Sequence, residues 1–167
     1  MPLYDFSIPV LRRGLVNMAA CLTKGGEYLA EKALPESFLL EARLVEDMHP
    51  LPRQIQMASD AAKGAAARLA GTEIPSFPDT ETTIAELQDR IAKTIAVLDA
   101  IDPAALAGRE DAEIVIKVPS YELRFTGLSY VQTFALPNFF FHATASYAIM
   151  RHKGVPLGKL DYLGPIA

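Results

Sequence analysis

The sequence predicts an all-α fold, an antiparallel four-helix bundle with a small β-hairpin between the third and fourth helices. Three observations predict it. Four separate stretches carry apolar residues at helical spacing. The connections between them are short, which favours antiparallel neighbours. One further segment alternates apolar and polar residues on both sides of Pro119-Ser120, the pattern of a hairpin. With 167 residues, the chain reads as one domain spanning 1–167.

The first helix has Ser7 as its candidate cap and Ile8-Pro9 in its opening turn, where proline is tolerated. Leu11, Leu15, Met18, Leu22 and Leu29 keep its apolar face. Gly25-Gly26 is expected to bend it or end it early. Pro35 to Leu44 reads as a short helical turn, and Asp47 to Pro52 as a connection, because residues before proline avoid the helical region. The second helix spans Pro52 to Ala70 and ends at Gly71. Its inner stripe is Ile55, Ala58, Ala62, Ala65 and Leu69, and so many alanines imply close approach of a neighbour.

A capping box, Thr83 with Glu86, opens the third helix. Ile84, Leu87, Ile91, Leu98 and Ile101 form its stripe, and Asp102-Pro103 closes it. In the hairpin a two-residue turn would pair Ile114 with Phe125, Ile116 with Leu123 and Lys117 with Glu122, so both faces agree in register. The last helix is expected to start near Leu128 or Ser129. Pro137 must kink or restart it. It should run to Lys153 and stop at Gly154, and the tail from Val155 to Ala167 should lie across the bundle.

Composition excludes several function classes. The net charge is −4, from 16 basic and 20 acidic residues, the wrong sign for a nucleic-acid binder. The single cysteine, Cys21, rules out an intrachain disulfide and reads as a small core residue. Met1 to Val10 has no basic region followed by an apolar run, so no signal peptide is expected and the protein reads as cytoplasmic. Phe125 to Met150 carries no formal charge and is long enough to span a bilayer. It also holds Gln132, Asn138, His142 and several hydroxyls, which a lipid-exposed span would not tolerate. No membrane association is expected.

No phosphate-binding glycine loop, GxSxG, CxxC or HExxH motif is present. The histidines are His49, His142 and His152. His142 and His152 stand ten residues apart, about 15 Å along one helix, and cannot share an ion. His152 suits the helix C-terminus as a dipole partner or surface group. His49 reads as a loop histidine. His142 lies on a mixed face with Asn138, Ala145, Ser146 and Ile149. It is either a core histidine satisfied by a neighbour or a pocket residue. Gln54 borders the inner stripe of the second helix and can reach the same place; Gln56 and Asp60 are expected to point elsewhere. The pocket candidates are therefore His142, Asn138, Gln54 and Ser146. Phe139 to Phe141 reads mainly as core, with enough aromatic surface left over to suggest a homodimer.

The segments DMHPLPRQIQMASDAAKGAAARLAG, FPDTETTIAELQDRI and LPNFFFHATASYAIMRHKGVPLGKLDYLG resemble an uncharacterised family, the domain of unknown function numbered nineteen ninety-three. That family belongs with the DinB/YfiT-like superfamily, whose members are read as metalloenzymes. The resemblance implies a four-helix bundle, often homodimeric, with a divalent metal such as zinc or nickel on three histidines. One would come from the second helix and two from an HxxxH motif on the last. Counting back from Gly154, the second histidine of that motif falls on His142 and the first on Asn138. On the second helix the nearest polar residue is Gln54. With one imidazole matched, no tightly bound transition metal is expected; if one were held, His142 and His49 would be its histidines. Two functions follow. One is a small-molecule-binding or enzymatic pocket between the second and fourth helices, with His142 as acid/base and Asn138 and Gln54 orienting a small molecule. The other is a non-catalytic homodimeric helical module.

Overall fold

The structure, a computed structural model, describes residues 2–118 and 120–165. It is mostly helical, with one two-stranded antiparallel hairpin. Four long helices dominate: α1 (Ile8–Lys32), α3 (Leu51–Ala70), α4 (Ile84–Asp99) and α6 (Leu136–His152). Each packs mainly on two of the others. α3 lies against α4 and α6, and α1 closes the ring against the same two. Short α2 (Ser37–Leu40) follows α1, and α7 (Lys159–Leu163) follows α6. Strands β1 (Glu113–Val118) and β2 (Tyr121–Thr126) sit between α4 and the final helical run.

The sequence features act mostly as expected. Ile55, Ala58, Ala62, Ala65 and Leu69 of α3 are all fully buried. Gly71 ends α3 in the left-handed region at φ 71°. The Thr83–Glu86 capping box is formed at the start of α4. The hairpin pairs Ile114 with Phe125, Ile116 with Leu123 and Lys117 with Glu122. The turn residue Pro119 lies outside the described residues.

Some local expectations are corrected. Ser7 precedes α1 but does not cap it; its hydroxyl donates backward to the Leu3 carbonyl at 2.7 Å. Gly25-Gly26 does not interrupt α1. A Cβ at Gly25 would stand 3.2 Å from Leu39 Cδ1 and 3.3 Å from Met150 Sδ, so packing there leaves little room for a side chain and holds the helix. Before α6 the chain forms a helical turn, α5 (Gly127–Tyr130), and then a π-helical stretch, Val131–Ala135. That stretch absorbs Pro137, which has no N–H to donate to the preceding turn. The described part of the tail, residues 155–165, lies along α1, and its last two residues fall outside the described ones. Lys24 pairs with Asp161 at 2.6 Å, and Asn17 donates to the Tyr162 carbonyl at 3.1 Å. No helix among the described residues is long and apolar enough to cross a membrane.

Candidate functional site

α3 and α6 face each other along most of their length, and the hairpin leans over one end of the seam. A cavity of about 350 Å³ opens there. Its polar lining is Asp60 and Arg68 from α3, Tyr130 from α5, and Asn138 and His142 from α6. Met57, Ala61, Ile116, Phe134 and Ala135 supply the apolar walls.

The chemistry of His142 is set by Gln54. Gln54 is 2% exposed, and its Nε2 donates to the His49 carbonyl at 3.2 Å. That bond turns Oε1 toward His142 Nδ1, at 2.8 Å. An amide oxygen only accepts, so Nδ1 carries the proton and Nε2 keeps a lone pair. Burial, then the nearby Arg53 guanidinium and His49 ring, hold the imidazole below its ordinary pKa. His142 is therefore neutral at neutral pH, a half-buried base with one nitrogen committed.

The other expected residues are placed as follows. Asn138 lines the cavity with His142. Gln54 backs the imidazole from beneath and does not itself line the cavity. Ser146 is fully buried and its hydroxyl donates to the His142 carbonyl at 2.9 Å, so it faces the core rather than the cavity. His49 is exposed, and it is its backbone carbonyl that takes part. His152 closes α6 in its last turn. Asp60 does not point away as expected, whereas Gln56 does. Asp60 stands at the cavity wall, and Gln56 is buried and donates to Glu81 at 2.9 Å. The apolar run splits: Phe139 is fully buried, whereas Phe141 is 58% exposed.

Sequence reasoning missed Arg68 and the ion network behind Asp60. Arg68 is fourteen residues after Gln54, hence within roughly 40° of it on the same helix face, a relation the sequence did contain. The network centres on Arg90 of α4, which is 2% exposed. Its guanidinium reaches Asp60 and Asp79 at 3.0 Å and Glu81 at 2.9 Å. Lys63 joins Asp60 at 2.9 Å, and Arg53 pairs with Asp79. Phe77 lies over both Lys63 and Arg90. Burial alone would raise the Glu81 carboxyl; hydrogen bonds from Arg90 and Gln56 outweigh it and hold the group below the usual carboxylate range.

The donor set at His142 does not fit a three-imidazole metal centre. The polar neighbours of His142, Asn138 one turn away and Gln54 across the seam, carry amides, and Nδ1 is already bonded to Gln54. Zinc and nickel favour imidazole or thiolate over amide oxygen. Among the described residues no three His, Cys, Asp or Glu side chains come together in a metal-holding group.

Known proteins place the chain. No curated protein matches it. A crystal structure of a DinB family member protein from Shewanella denitrificans is similar over 98% of this chain and 93% of that one, at 38% identity and a TM-score of 0.89. The model of a family described as a domain of unknown function, DUF1993, matches residues 3–163, and the chain belongs to that family.

Proposed function

We propose that the α3–α6 cavity binds a small molecule and that His142 Nε2 is its proton acceptor. The observation that carries this reading is the Gln54–His142 bond, which fixes one tautomer and leaves one lone pair on a residue lining the cavity. A general base needs that arrangement: a neutral imidazole, oriented by a second group, beside room for a ligand. No metal takes part in this reading, because the polar neighbours of His142, Asn138 and Gln54, are amides. The four long helices are read as an antiparallel bundle, supported by the ring of pairings among α1, α3, α4 and α6. A cytoplasmic location accords with the lone, buried cysteine.

The test is nitrogen NMR on protein with labelled histidine rings. Native His142 should show the Nδ1–H tautomer and titrate below the ordinary 6.5. Gln54→Leu should convert it to the Nε2–H form. Added zinc or nickel should leave the Nε2 signal in place, and hits from a small-molecule library should move it. An Nε2–H tautomer in the native protein, or a metal shift lost in His142→Ala, would refute the reading.

We propose further that the protein is a homodimer. Phe141 is 58% exposed and Val45 53%, and Leu44, Met48 and Ala148 form an apolar hollow beside Phe141. A contiguous apolar patch of this kind fits an interface between copies. Light scattering should give twice the 18.2 kDa chain mass, and Phe141→Ser should bring it down to one chain. A single-chain mass for the native protein at every concentration down to the micromolar range would overturn the dimer.

A further inference from the structure

Among the charged side chains that line the α3–α6 cavity, and those paired with them, one group is left over. Arg53, Lys63 and Arg90 are matched by Asp60, Asp79 and Glu81 in one connected network. Asp60 faces the cavity, but its charge is already met by two cations. His142 is neutral. Tyr130 is buried, which raises its phenol above the ordinary value, so it stays uncharged. Arg68 remains. Among the described residues it forms no ion pair, and its one side-chain hydrogen bond is a 3.3 Å contact to the Tyr130 hydroxyl. A half-buried guanidinium with no counter-charge is costly unless an anion meets it.

Its position is also prepared. The Arg68 side chain folds back one turn over Gly64, where an added Cβ would stand 2.7 Å from Nη1. The missing side chain at Gly64 makes the berth for the guanidinium. From Gly64 to Gln54, which holds His142, is ten residues, about 15 Å along α3. Between the two ends the walls are mostly apolar, from Met57, Ala61, Phe134 and Ala135, with the Asp60 carboxylate and the Asn138 amide set among them.

We propose that the cavity takes an extended molecule with one anionic end: a carboxylate or phosphate at Arg68, a mostly apolar middle without a second negative charge, and an O–H or N–H donor at His142 Nε2. This rests on the small-molecule reading above and adds the class of ligand. The guanidinium supplies a two-pronged donor for the anion, and Tyr130 lies beside it as a further hydroxyl. The Asp60 carboxylate and the apolar walls around it exclude a second negative charge in the middle of the ligand.

The experiment titrates the full chain with 4-(4-hydroxyphenyl)butanoate and with its primary amide, following heat of binding and the His142 ring signals. The acid should bind at least about tenfold more tightly, the scale of one charge-assisted contact. That advantage should vanish in Arg68→Gln and shrink in Gly64→Ala, which pushes the guanidinium from its berth. Arg68→Lys should keep part of it. Equal binding of acid and amide, with His142 responding to both, would overturn the anion assignment while the pocket stands. An acid preference that survives Arg68→Gln would overturn it too. If neither compound binds, the proposed class is wrong, and the tautomer experiment judges the pocket separately.

Discussion

Arg90→Met should destabilise the protein by about 3 kcal/mol, the low end of what breaking a buried ion pair costs. The low end applies because the partners are unequal. Arg90 is almost fully enclosed, but the Asp60 and Asp79 side chains are 41% and 39% exposed and can be rehydrated when the guanidinium goes. Glu81, at 11%, cannot, and it loses its strongest partner. Arg90 also donates to the Pro78 carbonyl at 3.1 Å, so the segment between α3 and α4 loses its main tether. For a chain of this length the change amounts to a melting temperature lower by about 6–12 °C. Arg12→Ala is the control. That pair, with Asp99, is nearly half exposed on both sides and should change the melt little.

The same network sets an acid dependence. Glu81 has a folded pKa below its ordinary 4.5, so its contribution is complete above 4.5 and is lost as pH falls through the lower folded value. Stability should decline below about pH 4.5, and Arg90→Met should flatten that decline. A drop of less than about 2 °C for Arg90→Met at neutral pH, at most about 1 kcal/mol for a domain of this size, would mean that the network contributes little.

Gly127→Ala should cost a similar amount, roughly 3 kcal/mol, for a different reason. An added Cβ would press inside contact distance of the Arg109 carbonyl oxygen, and a backbone atom cannot rotate away. The site is pinned on its other side, because Leu128 N–H donates to the Glu110 carbonyl at 2.8 Å. The entry into α5 would have to shift as a unit. Gly64→Ala makes the useful contrast, since there the clash is with the end of a flexible side chain. A thermal melt should show Gly127→Ala well below native and Gly64→Ala close to it. If the two variants melt together, the backbone argument fails.

Local signals are the legible part of this protein. The hairpin register follows from alternation alone, because a one-residue slip would turn Ile114 and Phe125 outward. The Gly71 stop and the Thr83–Glu86 box are set by nearest neighbours. Convergence is what the sequence hides. Asp60, Asp79, Glu81 and Arg90 come from α3, the following segment and α4, and no spacing within one helix brings them together. Arg90 does leave a trace: it sits between Leu87 and Ile91 on the apolar stripe of α4, where a charge needs a partner. Ser146 misleads because its azimuth near His142 says nothing about its hydroxyl, which bonds back to the preceding turn. Helical spacing puts His142 beside Asn138, as the structure does, but its actual bond is to Gln54 across the seam.

The π-helical stretch at Val131–Ala135 works as a phase shifter. It fits one more residue into a turn than an α-helix would, and one residue is worth about 100° of rotation. Tyr130 on one side and Asn138 and His142 on the other would otherwise be out of angular step, yet all three line one cavity. Deleting Gln132 or Thr133 would restore a regular helix without removing a single cavity residue. It would also swing Tyr130 and the hairpin around the axis, away from the face that carries His142. Chain length at this point is thus itself a determinant of the site: here a relative that is one residue shorter would carry the same side chains in a different order around the axis.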